Sequence, residues 1–227
     1  MKLILLRHGQ SEWNLANRFT GWTDVDLSPA GRDEAVSAGR RIADAGIEPR
    51  YCFTSYLRRA IHTLQLALGE MRRDYLPVVK DWHLNERHYG ALQGLDKADT
   101  AARYGDEQVH TWRRSYDVRP PALEPTDSRS PALQPMYAGL DPRSLPLTES
   151  LADTVARVRP CWEELMVPAL RLYGTVLVAA HGNSLRALVM MLRGLSAEEV
   201  VSLEIPTGAP LVFELDDALK PLSHKYL

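Results

Sequence analysis

Two short apolar runs, distant in the chain, end in the same way. "LILLRHGQSEWN" (3–14) and "VLVAAHGNS" (176–184) each pass from aliphatic residues directly into His-Gly and then into polar residues. Runs this short and continuous suit strands covered on both faces, as in a parallel sheet, and "YCFTS" (51–55) is a third. Helical patterns lie between them. Ser28-Pro29 reads as a helix N-cap with proline in the first turn, and Gly46 closes that segment. Leu57, Ile61, Leu64 and Leu68 recur at helical spacing. "SLAD" (150–153) is a capping-box pattern opening a helical segment that Pro160 and Pro168 should kink or divide. Residues 184–193 read as an apolar helix closed by Gly194, "SAEE" (196–199) as a further helix start, and "LVFEL" (211–215) as a final strand. Strands alternating with helices predict one α/β layered domain, 1–227, with a mainly parallel central sheet flanked by helices.

One stretch departs from this pattern. Residues 115–147 hold seven of the fifteen prolines and show no clean period, which reads as a long ordered loop or lid, with disorder as the alternative. A formal net charge of −2 gives no global attraction to nucleic acid or anionic membrane, so any affinity for anions must be local. Cys52 and Cys161 are too few and too separated for a disulfide framework or a zinc site, and read as reduced thiols. No apolar run approaches the roughly 18 residues of a spanning helix, and "KLILLR" is too short for a signal peptide. The expectation is a cytoplasmic protein.

In open α/β sheets ligands bind at the carboxyl ends of strands, so His8 and His181 are expected to face one pocket. A lone histidine there reads more readily as hydrogen-bonded structure; a pair joined by arginines points to chemistry. Neutral imidazole is a competent nucleophile toward phosphorus, and a transferring phosphoryl group needs fixed cations around its oxygens. Arg7 adjoins His8, and Arg59 opens the helix after "YCFTS", where backbone N–H groups also favour anions. Its neighbour Arg58 reads as a solvated side chain, and sequence alone hardly separates the two. No metal is expected, because His62, His83, His88 and His110 lack HExxH spacing and no cysteines accompany them. There is no GxxxxGK[ST] loop either.

"LRHGQSEWN", "RFTGWTDVDLS", "SYLRRAIHT", "LNERHYGALQG" and "AAHGNSLRAL" together resemble the cofactor-dependent phosphoglycerate mutases of the histidine phosphatase superfamily, from residue 3 to about 226. "RHG" marks only the superfamily; "LNERHYGALQGLDK" with "WRRSYDVRPP" is far more specific to the mutases. The resemblance implies a three-layer phosphoglycerate-mutase-like fold. It implies glycolytic and gluconeogenic interconversion of 2-phosphoglycerate and 3-phosphoglycerate, primed by 2,3-bisphosphoglycerate without metal, in a homodimer or homotetramer. By motif, His8 would be the phosphorylated nucleophile, and Arg7, Arg59 and His181 would hold the transferring group, assisted by Asn14 and the Gly182-Asn183 backbone. Glu86 would be general acid and base, its pKa raised by a neighbouring phosphate. Lys97, Arg113, Arg114, Tyr89, Thr20 and Gly21 would bind the distal anion, with Ser11, Arg87 and His88 also in substrate contact. In this reading the buried strand is a rigid mount for His8, and Gly9 lets the backbone approach the ligand.

The nearest alternative is a phosphatase on the same scaffold, where water is the acceptor; the other is a non-catalytic phosphoglycerate-binding protein. Family members commonly carry a polar tail after the last strand, whereas this chain stops at "SHKYL". Closure would then fall to residues 115–147, with somewhat more leakage to hydrolysis.

Overall fold

The computed structural model describes residues 1–227. Its sheet has six strands: β1 (Lys2–Arg7), β2 (Tyr51–Thr54), β3 (Val78–Lys80), β4 (Thr175–Ala180), β5 (Pro210–Leu215) and β6 (Pro221–Tyr226), in the order β3-β2-β4-β1-β5-β6. The first four are mutually parallel; β5 runs antiparallel to β1, and β6 antiparallel to β5. Period-2 alternation divides the strand side chains between two cores. Leu3, Leu5, Val176, Val178 and Ala180 pack with α6 (Leu151–Pro160), α7 (Val167–Tyr173) and α8 (Gly182–Arg193) on one face. Ile4, Leu6, Leu177 and Ala179 pack with α2 (Pro29–Asp44) and α3 (Arg58–Glu70) on the other. The three-layer α/β arrangement expected from the sequence is therefore present.

Caps fall where the sequence put them. Ser28 accepts from the Gly31 N–H to open α2, and Ser150 forms the capping box that opens α6. Pro160 and Pro168 divide the third helical segment through a π-helical stretch, Cys161–Met166, because each proline removes a backbone donor. Gly194 closes α8 in the left-handed region, at φ 62°.

Two strands were not expected. β3 is three residues long, and β6 is an edge strand with five of its six residues exposed, so neither carries an apolar run. Helices α4 (Lys97–Tyr104) and α5 (Asp106–Arg114) form a small excursion with its own core of Phe19, Leu92, Val109 and Trp112. Residues 115–147 form turns and three short 3₁₀ segments, with Leu123, Ser130, Tyr137 and Leu145 buried. None of them lines the cleft beside His8; Tyr137 instead packs on Trp22, and its hydroxyl accepts from Asn85 Nδ2. No helix is long and apolar enough to cross a membrane.

Candidate active site

The two His-Gly ends meet because β1 and β4 are parallel neighbours in register, with Arg7 beside Ala180. The His8 N–H donates to the Ala180 carbonyl, and the rings of His8 and His181 stand 5.0 Å apart. His8 Nδ1 lies 2.7 Å from the Gly9 carbonyl, an acceptor only, so the hydrogen sits on Nδ1 and the Nε2 lone pair is free. Burial, then Arg59 and Arg7, holds this imidazole well below its ordinary pKa and therefore neutral. Gly9 serves differently from expectation: a Cβ there would stand 2.1 Å from the Gly31 carbonyl oxygen. The glycine admits the first turn of α2 against the strand end, not the ligand.

His181 is fully buried behind the cleft rather than in its lining. Its Nε2 meets Ser55 Oγ at 2.7 Å, and the same oxygen accepts from the Leu57 N–H. With the Ser55 hydroxyl donating to Nε2, the ring hydrogen falls on Nδ1, which has no protein partner.

Arg7 and Arg59 complete the proximal half. Arg7 Nη1 donates to the Ile205 carbonyl, while Arg59 donates from Nη1 to Thr23 and from Nη2 to Gly21. Backbone carbonyls thus fix both forks without neutralising them. Burial draws Arg59 down to about 10, still charged at neutral pH. Arg58 turns outward to pair with Asp24.

Glu86 sits across the cleft. Its Oε1 accepts from the Arg87 N–H, the Asn183 N–H and Asn183 Nδ2. Burial pushes its pKa up, but these donors with Arg7 and Arg59 outweigh it, and the net shift is downward. Without a phosphate beside it, Glu86 is therefore a carboxylate ready to accept a proton; the raised value expected from the sequence belongs to the phosphate-bound site. The Asn183 amide, expected to face phosphate, is committed to Glu86, while Gly182 lines the cleft at the start of α8.

The loop carrying Glu86 is clamped from behind. Arg157, on α6, donates to the carbonyls of His83, Asn85 and Glu86, and pairs through Nε with Glu149 Oε1 at 2.6 Å. Glu149 in turn accepts from the His88 N–H, and the Trp22 indole donates to the Glu86 carbonyl.

Asn14, Thr20, Gly21, Tyr89, Lys97, Arg113 and Arg114 all line the same cleft. Ser11, Arg87 and His88 do not. Ser11 caps the short helix α1 (Glu12–Leu15) and exchanges hydrogen bonds with Asn14. Arg87 caps the C-terminal carbonyls of α5, donating to Trp112 and Arg113. His88 is buried with Nδ1 accepting from the Gly90 N–H. Ser11 and Arg87 thus support residues that line the cleft, Asn14 and Arg113, whereas His88 bonds to Gly90 and Glu149 behind it. Arg18, Phe19, Arg186, Glu204 and Ile205 line it unexpectedly. Arg18 and Arg186 lay inside the quoted motifs, and Arg186 follows Asn183 at helical spacing; Glu204 carried no signal.

The cleft sets seven cationic side chains against two carboxylates. Arg7 Nε, Arg59 Nε, Thr20 Oγ1 and His181 Nδ1 are buried with no protein partner. Unpaired buried donors each cost about 1–3 kcal/mol, so this half is chemically fitted to a small oxyanion such as a phosphoryl group.

Comparison with known proteins agrees. Residues 3–224 match the histidine phosphatase superfamily, branch 1. A 2,3-bisphosphoglycerate-dependent phosphoglycerate mutase of Nitratidesulfovibrio vulgaris (Miyazaki F) is 60% identical over 225 residues, 99% of this chain and 90% of that protein. The Hildenborough strain's enzyme of the same name is 60% identical over 226 residues, 100% and 90% of the two chains. Among solved structures, a mycobacterial glucosyl-3-phosphoglycerate phosphatase complexed with VO3 has a TM-score of 0.74 at 26% identity, covering 99% of this chain and 96% of that one. This chain therefore belongs to the histidine phosphatase superfamily, in its phosphoglycerate mutase family.

Proposed function

We propose that this protein interconverts 2-phosphoglycerate and 3-phosphoglycerate through a phosphohistidine on His8. The observation that carries the reading is a neutral, Nδ1-protonated imidazole presenting Nε2 to a cleft of seven cations. Its 60% identical relatives are 2,3-bisphosphoglycerate-dependent phosphoglycerate mutases, and that bisphosphate supplies the phosphoryl group that first charges His8. The unpartnered donors around His8 and the cations at the far end fit a ligand with two anionic ends.

The chain's own groups then divide the work. The His8 Nδ1–H bond to Gly9 fixes the tautomer and aims Nε2. Arg7, Arg59 and the His181 Nδ1–H meet the charge on the transferring oxygens. When phosphoryl leaves His8 for a phosphoglycerate, the carboxylate of Glu86 takes the hydroxyl proton, and it returns that proton in the reverse transfer. The arriving dianion adds negative charge beside Glu86, opposing its ionisation and bringing it closer to the pKa an acid needs. Lys97, Arg113 and Arg114 hold the ligand's other end. Burial and then Arg113 draw the Lys97 pKa down, which an incoming anion reverses.

The reading extends to one domain over 1–227, a cytoplasmic homodimer or homotetramer; light scattering tests the assembly. Residues 115–147 belong to the frame behind the Glu86 loop in this proposal, through Tyr137 and Asn85.

The deciding experiment is a coupled assay with 3-phosphoglycerate, with and without catalytic 2,3-bisphosphoglycerate, and with a chelator present. Turnover that needs the bisphosphate and survives chelation is the expected result. Bisphosphate hydrolysis without mutase turnover would instead select the phosphatase.

A further inference from the structure

A carboxylate lines the mouth of a cleft otherwise built for anions. Glu204 follows helix α9 (Ala197–Ser202), and its Oε1 lies 2.6 Å from Arg114 Nη1. The other oxygen stands 3.5 Å from Arg186 Nη2. Its backbone is tied in place on both sides, because Arg186 Nε donates to the Leu203 carbonyl and Arg7 Nη1 to the Ile205 carbonyl. The side chain itself is 63% exposed, while Arg186, the more distant of its two partners, is buried. It is thus an anion on a short tether, touching two of the cations that would receive a ligand's distal end.

We propose that Glu204 is a specificity-determining residue of this cleft, occupying Arg114 and Arg186 between turnovers and penalising the more highly charged of two competing ligands. The physics is competition within one set of donors. An exposed ion pair is weak, so an incoming anion displaces it readily, but the displaced carboxylate stays nearby and repels in proportion to the ligand's charge. Under the mutase reading, on which the biological sense of this inference rests, the two ligands are the bisphosphate and the monophosphoglycerate. Glu204 then lowers the affinity of the cleft for the bisphosphate relative to the monophosphoglycerate that remains once His8 has been charged.

The test compares wild type with Glu204→Gln, which keeps shape and removes charge, by calorimetry with inorganic phosphate and with pyrophosphate. We expect pyrophosphate to bind about three- to ten-fold more tightly to the variant, and phosphate to change less. Glu204→Asp, which keeps the charge, should stay within about two-fold of wild type for both. Unchanged or weaker pyrophosphate binding in Glu204→Gln overturns the proposal, as does equal tightening of the two probes. Glu204→Ser is read in the same way should the glutamine variant fail to fold. In the coupled assay, the bisphosphate activation constant should fall more than KM for 3-phosphoglycerate. Binding that shifts as expected in a protein without mutase turnover would sink the functional reading and leave this one standing; turnover with unshifted binding would do the reverse.

Discussion

The proximal and distal halves of the cleft are built on different materials. His8, His181 and Arg7 sit at the ends of central strands, and Arg59 at the first turn of a helix packed on that sheet; His8 and Arg59 are only 3% and 1% exposed. Lys97, Arg113 and Arg114 ride on the small α4–α5 excursion, and Arg114 is already paired with an exposed carboxylate. Rigid mounting serves a step in which atoms must meet in line, where orientation can supply about 7–11 kcal/mol of the barrier. A looser, partly compensated half serves binding that must be undone each turnover, and in a mutase must accept the ligand in two orientations. Substitutions in the first half should therefore lower kcat; those in the second should raise KM.

The sharpest test of that division is His8→Ala, expected to abolish turnover and the acid-labile phosphoryl label left by 2,3-bisphosphoglycerate. Residual turnover near wild type would break the comparison outright. Glu86→Gln should lower kcat by about 10²–10⁴-fold at little change in KM. Stopped-flow transfer from the phosphorylated enzyme would locate the loss in the proton-coupled step.

The halves also differed in how well they could be read from sequence. His8, His181, Arg7 and Arg59 were legible because a strand end is a local pattern and two similar ends in a parallel sheet become neighbours. Gly9 was misread because its crowding partner, Gly31, lies on another element, and no single-chain pattern shows a backbone contact. Ser11, Arg87 and His88 lie inside the right motifs, yet a motif does not separate residues that touch a ligand from those that brace their neighbours. The clamp of Arg157 and Glu149 was invisible, since Glu149 lies in the loop before the α6 cap and a helical arginine eight residues on reads as solvated charge. Glu204 was missed for a related reason: an acid in a loop carries no periodic signal. The edge strand β6 is polar because solvent covers it, so its apolar signal is missing.

Arg157 belongs to the proximal half by function although it touches no ligand, and Arg157→Lys tests that placement. A lysine keeps the charge but loses the fork that holds three carbonyls and Glu149 together. Misplacing Glu86 by about 1 Å should cost up to about 10²-fold in kcat, with KM for 3-phosphoglycerate little altered. The pH profile should also move, since the donors that depress Glu86 would shift with it. A pure stability defect would lower Tm and leave both the profile and the kcat of the folded fraction in place. The distal counterpart is milder: Arg113→Gln should raise KM about ten-fold and leave kcat within a few-fold, because it removes one charge-assisted contact from a shared set.

The smallest effect concerns the brace rather than either half. His88 is buried, and burial, then Arg157 and Arg129, pulls its pKa from 6.5 to about 3. Between those values the unfolded chain binds a proton that the folded chain refuses, so stability rises with pH across that window. The contribution is complete above about pH 6.5 and is lost as pH falls toward 3. His8 and His181 are shifted in the same direction and add to the slope. His88→Asn keeps an acceptor for the Gly90 N–H while removing the titration. Denaturant unfolding at several pH values between 4 and 6.5 should then show a slope shallower by up to about 1.4 kcal/mol per pH unit. An unchanged slope would mean that His88 takes up its proton without unfolding the chain, and that the brace behind Glu86 opens more easily than the strand ends that carry His8 and His181.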